Sequence, residues 1–232
     1  NRHVTAGSRQ DMTAAEVREA EPMRILVAGQ TGAGKSSLLN ALANAVEAEV
    51  NAVPATVQTT AYRLTHEGMP AALLIDSPGL AGANSTGALI ESAAQADMLL
   101  WVSSATRAAR EIDRQALATI RNYFAAETNR HRPPMLLVLT HIDALRPFGE
   151  WDPPYDLATG ATVKSQSILG AMEAAASDLG FAANEIVPVR VDIAVEPYNV
   201  DALWAKIIEL VPEAQRARLL RTLSDIRDTS SW

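Results

Sequence analysis

Between the apolar run Ile25 to Ala28 and the apolar pair Leu38-Leu39 lies Gly29-Gln30-Thr31-Gly32-Ala33-Gly34-Lys35-Ser36-Ser37. Glycines at 29, 32 and 34 let the backbone take positive φ and turn its N–H groups inward, which makes a concave anion site at the start of a helix. Lys35 is then placed to reach the β- and γ-phosphates of a nucleotide, and Ser36 to offer its hydroxyl to Mg2+. The stretch reads as a phosphate cradle.

A phosphate cradle alone leaves ATPases, kinases and GTPases open, and two further segments narrow the choice. Leu73-Leu74-Ile75-Asp76-Ser77-Pro78-Gly79 is an apolar strand that ends in a carboxylate. Asp76 can hold a Mg2+-bound water opposite Ser36, and the Gly79 N–H can contact a γ-phosphate. Met135 to Thr140 is another apolar strand, followed by His141-Ile142-Asp143. A carboxylate at 143 is placed to accept hydrogen bonds from the ring N–H and exocyclic amine of guanine, a pair that adenine cannot offer. Asp143 therefore favours GTP and GDP.

The elements that must position these groups alternate. Strands are expected at 24–28, 62–67, 71–76, 97–103, 134–140 and 185–191, and helices at 35–47, 88–95, 110–126, 163–179 and 200–211, the last ending at Pro212. This order implies an α/β domain with a doubly wound, mainly parallel six-stranded sheet. The strands at 62–67 and 71–76 are joined by Gly68-Met69-Pro70, too short for a crossover, so one antiparallel edge strand is expected. Residues 1–22 read as a polar leader or linker, 23–212 as the domain and 213–232 as an amphipathic helix with arginines between its apolar positions. The stretch 146–160, with Pro147, Trp151, Pro153, Pro154, Tyr155 and Gly160, reads as an irregular insertion, first as a surface loop packing Trp151 on its own domain and second as a contact or lid.

The ordered set Gly29-x4-Gly34-Lys35-Ser36, Thr59/Thr60, Asp76-Ser77-Pro78-Gly79 and Thr140-His141-Ile142-Asp143 resembles the P-loop GTPases. Within them it is similar to the Era- and septin-like branch, which includes dynamin-like and YeeP/YfjP-type members, over roughly residues 24–211. The resemblance implies a G domain that hydrolyses GTP to GDP and phosphate with Mg2+. It implies nucleotide contacts from Gly29, Gln30, Thr31, Gly32, Ala33, Gly34, Lys35, Ser36, Ser37, Thr140, His141 and Asp143. Metal contacts are implied for Ser36, Thr60 and Asp76, and catalytic roles for Lys35, Thr60 and Gly79, with Thr59 the alternative to Thr60. The family usually carries Asn-Lys where this chain has Thr140-His141, a departure shared by some plastid import-receptor GTPases.

Ras-like enzymes orient the attacking water with a glutamine after the glycine of this motif, and here that residue is Leu80. Intrinsic hydrolysis is therefore expected to be slow, completed by self-association or a partner. The position of a potassium-binding asparagine in some relatives corresponds to Gly32, so potassium stimulation is not expected. Arg107 and Arg110 read first as solvated arginines beside a helix and second as fingers for another protomer; His66, His131 and His141 read as surface or packing residues. The small-residue segment 79–87 is expected to be mobile.

With 20 Lys+Arg against 27 Asp+Glu, the net charge of −7 argues against nucleic acid as a partner. There is no cysteine, so neither a disulfide framework nor a thiolate metal site is available. A cytoplasmic protein is expected, peripheral to or tethered at the inner membrane if the basic helix meets lipid or a flanking segment spans it. The chain opens on Asn1 and not Met, which points to a piece of a longer protein. Guanine nucleotide is the expected ligand, with a homodimer and a membrane surface open as partners. Two other readings stand beside the GTPase: an ATP-using P-loop protein, and a nucleotide-binding, membrane-tethered scaffold with little hydrolysis.

Overall fold

The computed structural model describes residues 21–45, 49–56, 59–65, 71–77, 80, 85–127, 130–192, 194 and 196–229. Seven strands form one sheet: β1 (Met23–Gly29), β2 (Glu49–Thr56), β3 (Thr59–Thr65), β4 (Ala72–Asp76), β5 (Met98–Ser104), β6 (Met135–Thr140) and β7 (Ile186–Pro188), in the order β2-β3-β4-β1-β5-β6-β7. Five α-helices accompany them: α1 (Lys35–Ala45), α2 (Ser85–Gln95), α3 (Glu111–Ala126), α4 (Val163–Leu179) and α5 (Val200–Thr229). The α/β class and the mainly parallel sheet agree with the sequence. β3 runs antiparallel to β4, as the short 68–70 link requires.

Two details of the sheet differ from expectation. Strand β2 was not foreseen, so the sheet has a seventh strand and the reversed strand β3 lies one place in from the edge. Pro54 hides β2 in the sequence, because a residue with no N–H is tolerated on an edge strand or at a bulge, and the β2–β3 register shifts between Pro54 and Thr56. The central strands show why the rest was readable. All seven residues of β5 are buried, the continuous apolar run of a strand covered on both faces.

The two faces of the sheet bury separate cores. On one face Leu26, Trp101, Leu137 and Leu139 pack with Leu117, Ile120 and Ile168 from α3 and α4. On the other, Ile25, Val27, Leu100 and Val138 pack with Leu38 and Leu42 of α1 and Leu203 and Ile207 of α5. The alternation of residues 25 to 28 between these cores is the period-two pattern of a strand, and burying each of Ile25, Leu26 and Val27 is worth about 1.5–3 kcal/mol.

The helix break expected at Pro212 does not occur: α5 runs unbroken from Val200 to Thr229 with Pro212 inside it. A proline in a helix interior costs about 3 kcal/mol through its missing N–H and ring clash, so the surroundings must hold the helix together. They do so beyond the proline. Ala214 and Ala217 are buried, and Arg218 and Arg221 both bind the buried carboxylate of Asp97 just before β5. The basic residues at 218 and 221 thus dock the helix on its own domain. Among the described residues no helix is long and apolar enough to cross a membrane.

The leader 1–20, Pro78 and Gly79, residues 81–84 of the segment expected to be mobile, and His66 lie outside the described residues.

Candidate functional site

In an open α/β sheet a ligand lies beyond the carboxyl ends of the strands, where the connections leave in opposite directions. Here β1 sits between β4 and β5, and its end, Gly29, is flanked by the end of β4 at Asp76 and the end of β5 at Ser104. β6 delivers Thr140 to the same edge. The segments expected to cradle phosphate, to offer a carboxylate and to read the base are therefore neighbours in space.

The cradle's shape depends on its glycines. Gly32 and Gly34 have φ of 77° and 90°, in the region that favours glycine. Gly29 has φ of 146°, and a Cβ there would stand 2.1 Å from the Val102 carbonyl oxygen, so β1 and β5 approach only because position 29 has no side chain. Lys35, the first residue of α1, folds back over the loop and donates to the Gly29 and Gln30 carbonyls, both at 3.1 Å. Burial lowers its pKa; Asp76 and Asp113 oppose that shift and Arg107 adds to it.

Asp76 faces the same space. Burial raises its pKa and the Lys35 charge opposes the rise, while its Oδ1 is buried without a hydrogen-bond partner among the described residues. In backbone register Thr60 of β3 stands directly opposite Asp76. Ser36 is exposed at the start of α1. Leu80 is buried in the core against the α2–α3 face, so its side chain packs inward.

The Thr140–Asp143 segment is tied to the 29–36 turn. The Thr140 hydroxyl donates to the Ala33 carbonyl at 2.7 Å, and its oxygen lies 2.9 Å from His141 Nδ1. A Cβ on Gly34 would meet His141 Cε1 at 3.4 Å, so the imidazole lies along the cradle wall. His141 has φ of 55° and starts a short 3-10 turn, Ile142–Ala144, that carries Asp143. The Asp143 carboxylate is 3.5 Å from Arg190 Nε.

Three residues that the sequence reading did not single out support this edge. Asp113 of α3 is buried and accepts from the Gln30 side chain at 2.7 Å and from the Trp101 indole at 3.2 Å, fixing Gln30; burial raises its pKa. Lys164 of α4 is fully buried and donates to the carbonyls of Asp143 and Leu145 at 2.6 and 2.5 Å, and more weakly to Pro147 at 3.3 Å. Arg190 lies over the Trp151 ring at 4.9 Å. Nothing in Val163-Lys164-Ser165-Gln166-Ser167 marks the second.

The insertion 146–160 folds as expected onto its own domain. Trp151 meets Tyr155 and Tyr198 edge-on, with ring centroids 5.3 and 5.4 Å apart. The two arginines after β5 part company. Arg110 is buried and paired with Asp178 at 3.0 Å, so it is neither solvated nor a finger. Arg107 reaches the cradle of its own chain and donates to the Thr31 carbonyl at 3.2 Å.

Comparison with known proteins gives a consistent picture. A family model described as 50S ribosome-binding GTPase matches residues 24–141. A tRNA modification GTPase MnmE from Bordetella petrii is 32% identical over 136 residues, 55% of this chain and 28% of the relative. GTPase Der from a Sulfurihydrogenibium species is 27% identical over 132 residues, 53% of this chain and 28% of the relative. The chain thus spans little more than a quarter of these relatives' length. Among solved structures, translation elongation factor SelB from Methanococcus maripaludis, in complex with a GTP analogue, has the same fold at a TM-score of 0.50 and 17% identity, covering 82% of this chain and 34% of that one.

Proposed function

The chain belongs to the 50S ribosome-binding GTPase family, and on that premise we propose that it is a guanine-nucleotide switch that hydrolyses GTP to GDP and phosphate. Its motif set supports the Era- and septin-like branch. The observation that carries the reading is the convergence of Lys35, Asp76 and the Thr140–Asp143 turn on one sheet edge, with Thr140 bonded directly to the phosphate cradle.

The residues present fit Mg2+. Among the described residues there is no cluster of metal-ligating side chains, which suits an ion held by one or two protein oxygens plus phosphates and water. Ser36, Thr60 and Asp76 would hold it, the Oδ1 of Asp76 being an acceptor without a hydrogen-bond partner among the described residues. When bound, the ion would neutralise charge on the β- and γ-phosphates. Lys35 would add a second positive charge, and the N–H groups of residues 29–36 would grip the phosphate oxygens. Asp143 would select guanine.

Isothermal calorimetry with GDP, GTP and ATP in Mg2+ buffer tests binding, and phosphate release over many turnovers tests hydrolysis. Binding of both guanine nucleotides, no competition by excess ATP, and release abolished in Lys35→Ala are the expected results. No heat with either guanine nucleotide overturns the reading.

One observation favours a second reading, a nucleotide-binding scaffold with little turnover. Leu80 packs into the core, so the residue at the water-orienting position offers the attacking water nothing. Self-association or a partner would then complete the site. Phosphate release no greater than that of Lys35→Ala, with GTP binding intact, would select the scaffold. For the place of action, a cytoplasmic switch is the reading; lipid would be met by the outward leucines of α5, Leu219, Leu220 and Leu223, which stand among arginines.

A further inference from the structure

We propose that Lys164 is a positioning residue for guanine selection: its buried ammonium shapes the turn that carries Asp143 and so sets where that carboxylate stands. The inference rests on the guanine reading above and adds the residue that holds the reader in place.

The turn has little of its own to hold it. It is a 3-10 helix of three residues, Ile142–Ala144, entered through His141 at a positive φ of 55° and without a side-chain cap. Its own hydrogen bonds, from the Ala144 N–H to the His141 carbonyl and from the Leu145 N–H to the Ile142 carbonyl, are long, at 3.2 and 3.3 Å. After it the chain enters the insertion and reaches no helix or strand until α4. The Asp143 side chain is 29% exposed, so the carboxylate is open to a ligand while the backbone beneath it needs an anchor.

Lys164 supplies that anchor from the far end of the insertion. Its Nζ donates to the carbonyls of Asp143, Leu145 and Pro147, alternate residues of one stretch, which therefore bends around a single point. An ammonium has three hydrogens, and here three carbonyls take them. Nothing is left over for a substrate, so the group acts through the turn. The Trp151 ring lies over it, its centre 6.0 Å from Nζ, and the lysine is shut off from solvent.

The place of this lysine in α4 is otherwise unfavourable. Thr162 caps the helix and Lys164 is its second residue, beside the positive end of the helix dipole, where a cation is disfavoured. Burying the charge adds a desolvation cost. The charge-assisted hydrogen bonds to the 143–147 stretch offset both. Because all three partners lie in that stretch, loss of the ammonium should be felt at the base and not at the phosphates.

The test uses the whole chain and two affinity ratios from calorimetry in Mg2+ buffer. GDP against inosine diphosphate, which lacks only the 2-amino group that Asp143 would read, reports on the base end; GTP against GDP reports on the phosphate end. Lys164→Met is expected to reduce the preference for GDP over inosine diphosphate about tenfold and to leave the GTP-to-GDP ratio unchanged. The chain has no cysteine, so Lys164→Cys can be alkylated at one thiol with 2-bromoethylamine in denaturant and refolded, which restores an ammonium on a stem of the same length. The preference is expected to fall in Lys164→Cys and to return after alkylation. In an Asp143→Ala chain, Lys164→Met is expected to change neither ratio further. If folded Lys164→Met or Lys164→Cys keeps the full preference for GDP, if affinity for all three nucleotides falls in parallel, or if the folded alkylated chain lacks the preference, the assignment of Lys164 is overturned while guanine binding stands. If the wild type does not prefer GDP to inosine diphosphate, the reading of Asp143 fails and this one with it.

Discussion

The Thr140 hydroxyl donates to the Ala33 carbonyl across a separation of 107 residues, joining the end of β6 to the turn that follows β1. Through this one bond the loop that would read the base and the loop that would hold the phosphates share a fixed spacing. A nucleotide bound as proposed would span the same two points, so the bond would set in advance a distance that the ligand must match.

Thr140→Val removes that bond with almost no change in volume and leaves the buried Ala33 carbonyl short of a partner, a loss of about 1–2 kcal/mol. We expect GDP and GTP affinity to fall about tenfold by calorimetry. Unchanged affinity would show that the two loops are spaced by other contacts.

Gly29→Ala and Gly32→Ala should separate architecture from binding. A Cβ at 29 would press on the Val102 backbone at 2.1 Å, whereas a Cβ at 32 would meet only the Arg107 guanidinium at 4.0 Å. The first is expected to lower the unfolding free energy by more than about 3 kcal/mol, read as a fall in the denaturant midpoint. The second should cost about 1 kcal/mol, the price of positive φ, and show its effect in nucleotide affinity.

Asp97 should dominate the acid side of the stability curve. Burial by itself would raise its pKa, but hydrogen bonds from Arg218, the Arg24 N–H and Arg221 outweigh it and hold the carboxyl below its usual 3.8. A lowered folded value means the contribution is complete above 3.8 and is lost as pH falls through the folded value. Asp97→Asn is expected to lose about 3 kcal/mol at neutral pH and to flatten the decline below about pH 4, read by urea unfolding across pH.

Arg107→Ala tests the one cation that reaches the cradle from the loop after β5. A hydrogen bond from a charged donor is worth about 1.5–3 kcal/mol, so losing the clamp on the Thr31 carbonyl costs up to about a hundredfold where the cradle's shape limits turnover. We expect GTP hydrolysis to fall on that scale with GDP affinity little changed, and the deficit to persist in mixtures with Lys35→Ala chains, because the contact lies within one chain. Rescue in such mixtures would place the arginine's action across a dimer.

The sequence showed the central strands because each is a short apolar run ending at a chemically distinctive residue: Gly29, Asp76, Thr140. It showed β3 and β4 as antiparallel because three residues cannot cross a sheet. It hid β2 behind Pro54, and it suggested a helix end at Pro212 because the arginines that carry α5 onward bind Asp97, more than a hundred positions earlier. Arg190 and Lys164 were equally out of reach. Nothing in a lone arginine after β7 or a lone lysine in α4 reveals that both converge on the Asp143 turn; only the fold brings them there.

Lys164 has one more consequence. An ammonium closed off from water and shared among three carbonyls is shielded from acylating reagents for as long as the turn around Asp143 stays shut. Its labelling rate would therefore time the breathing of that turn, giving the protein a native chemical clock with no dye or spin label attached.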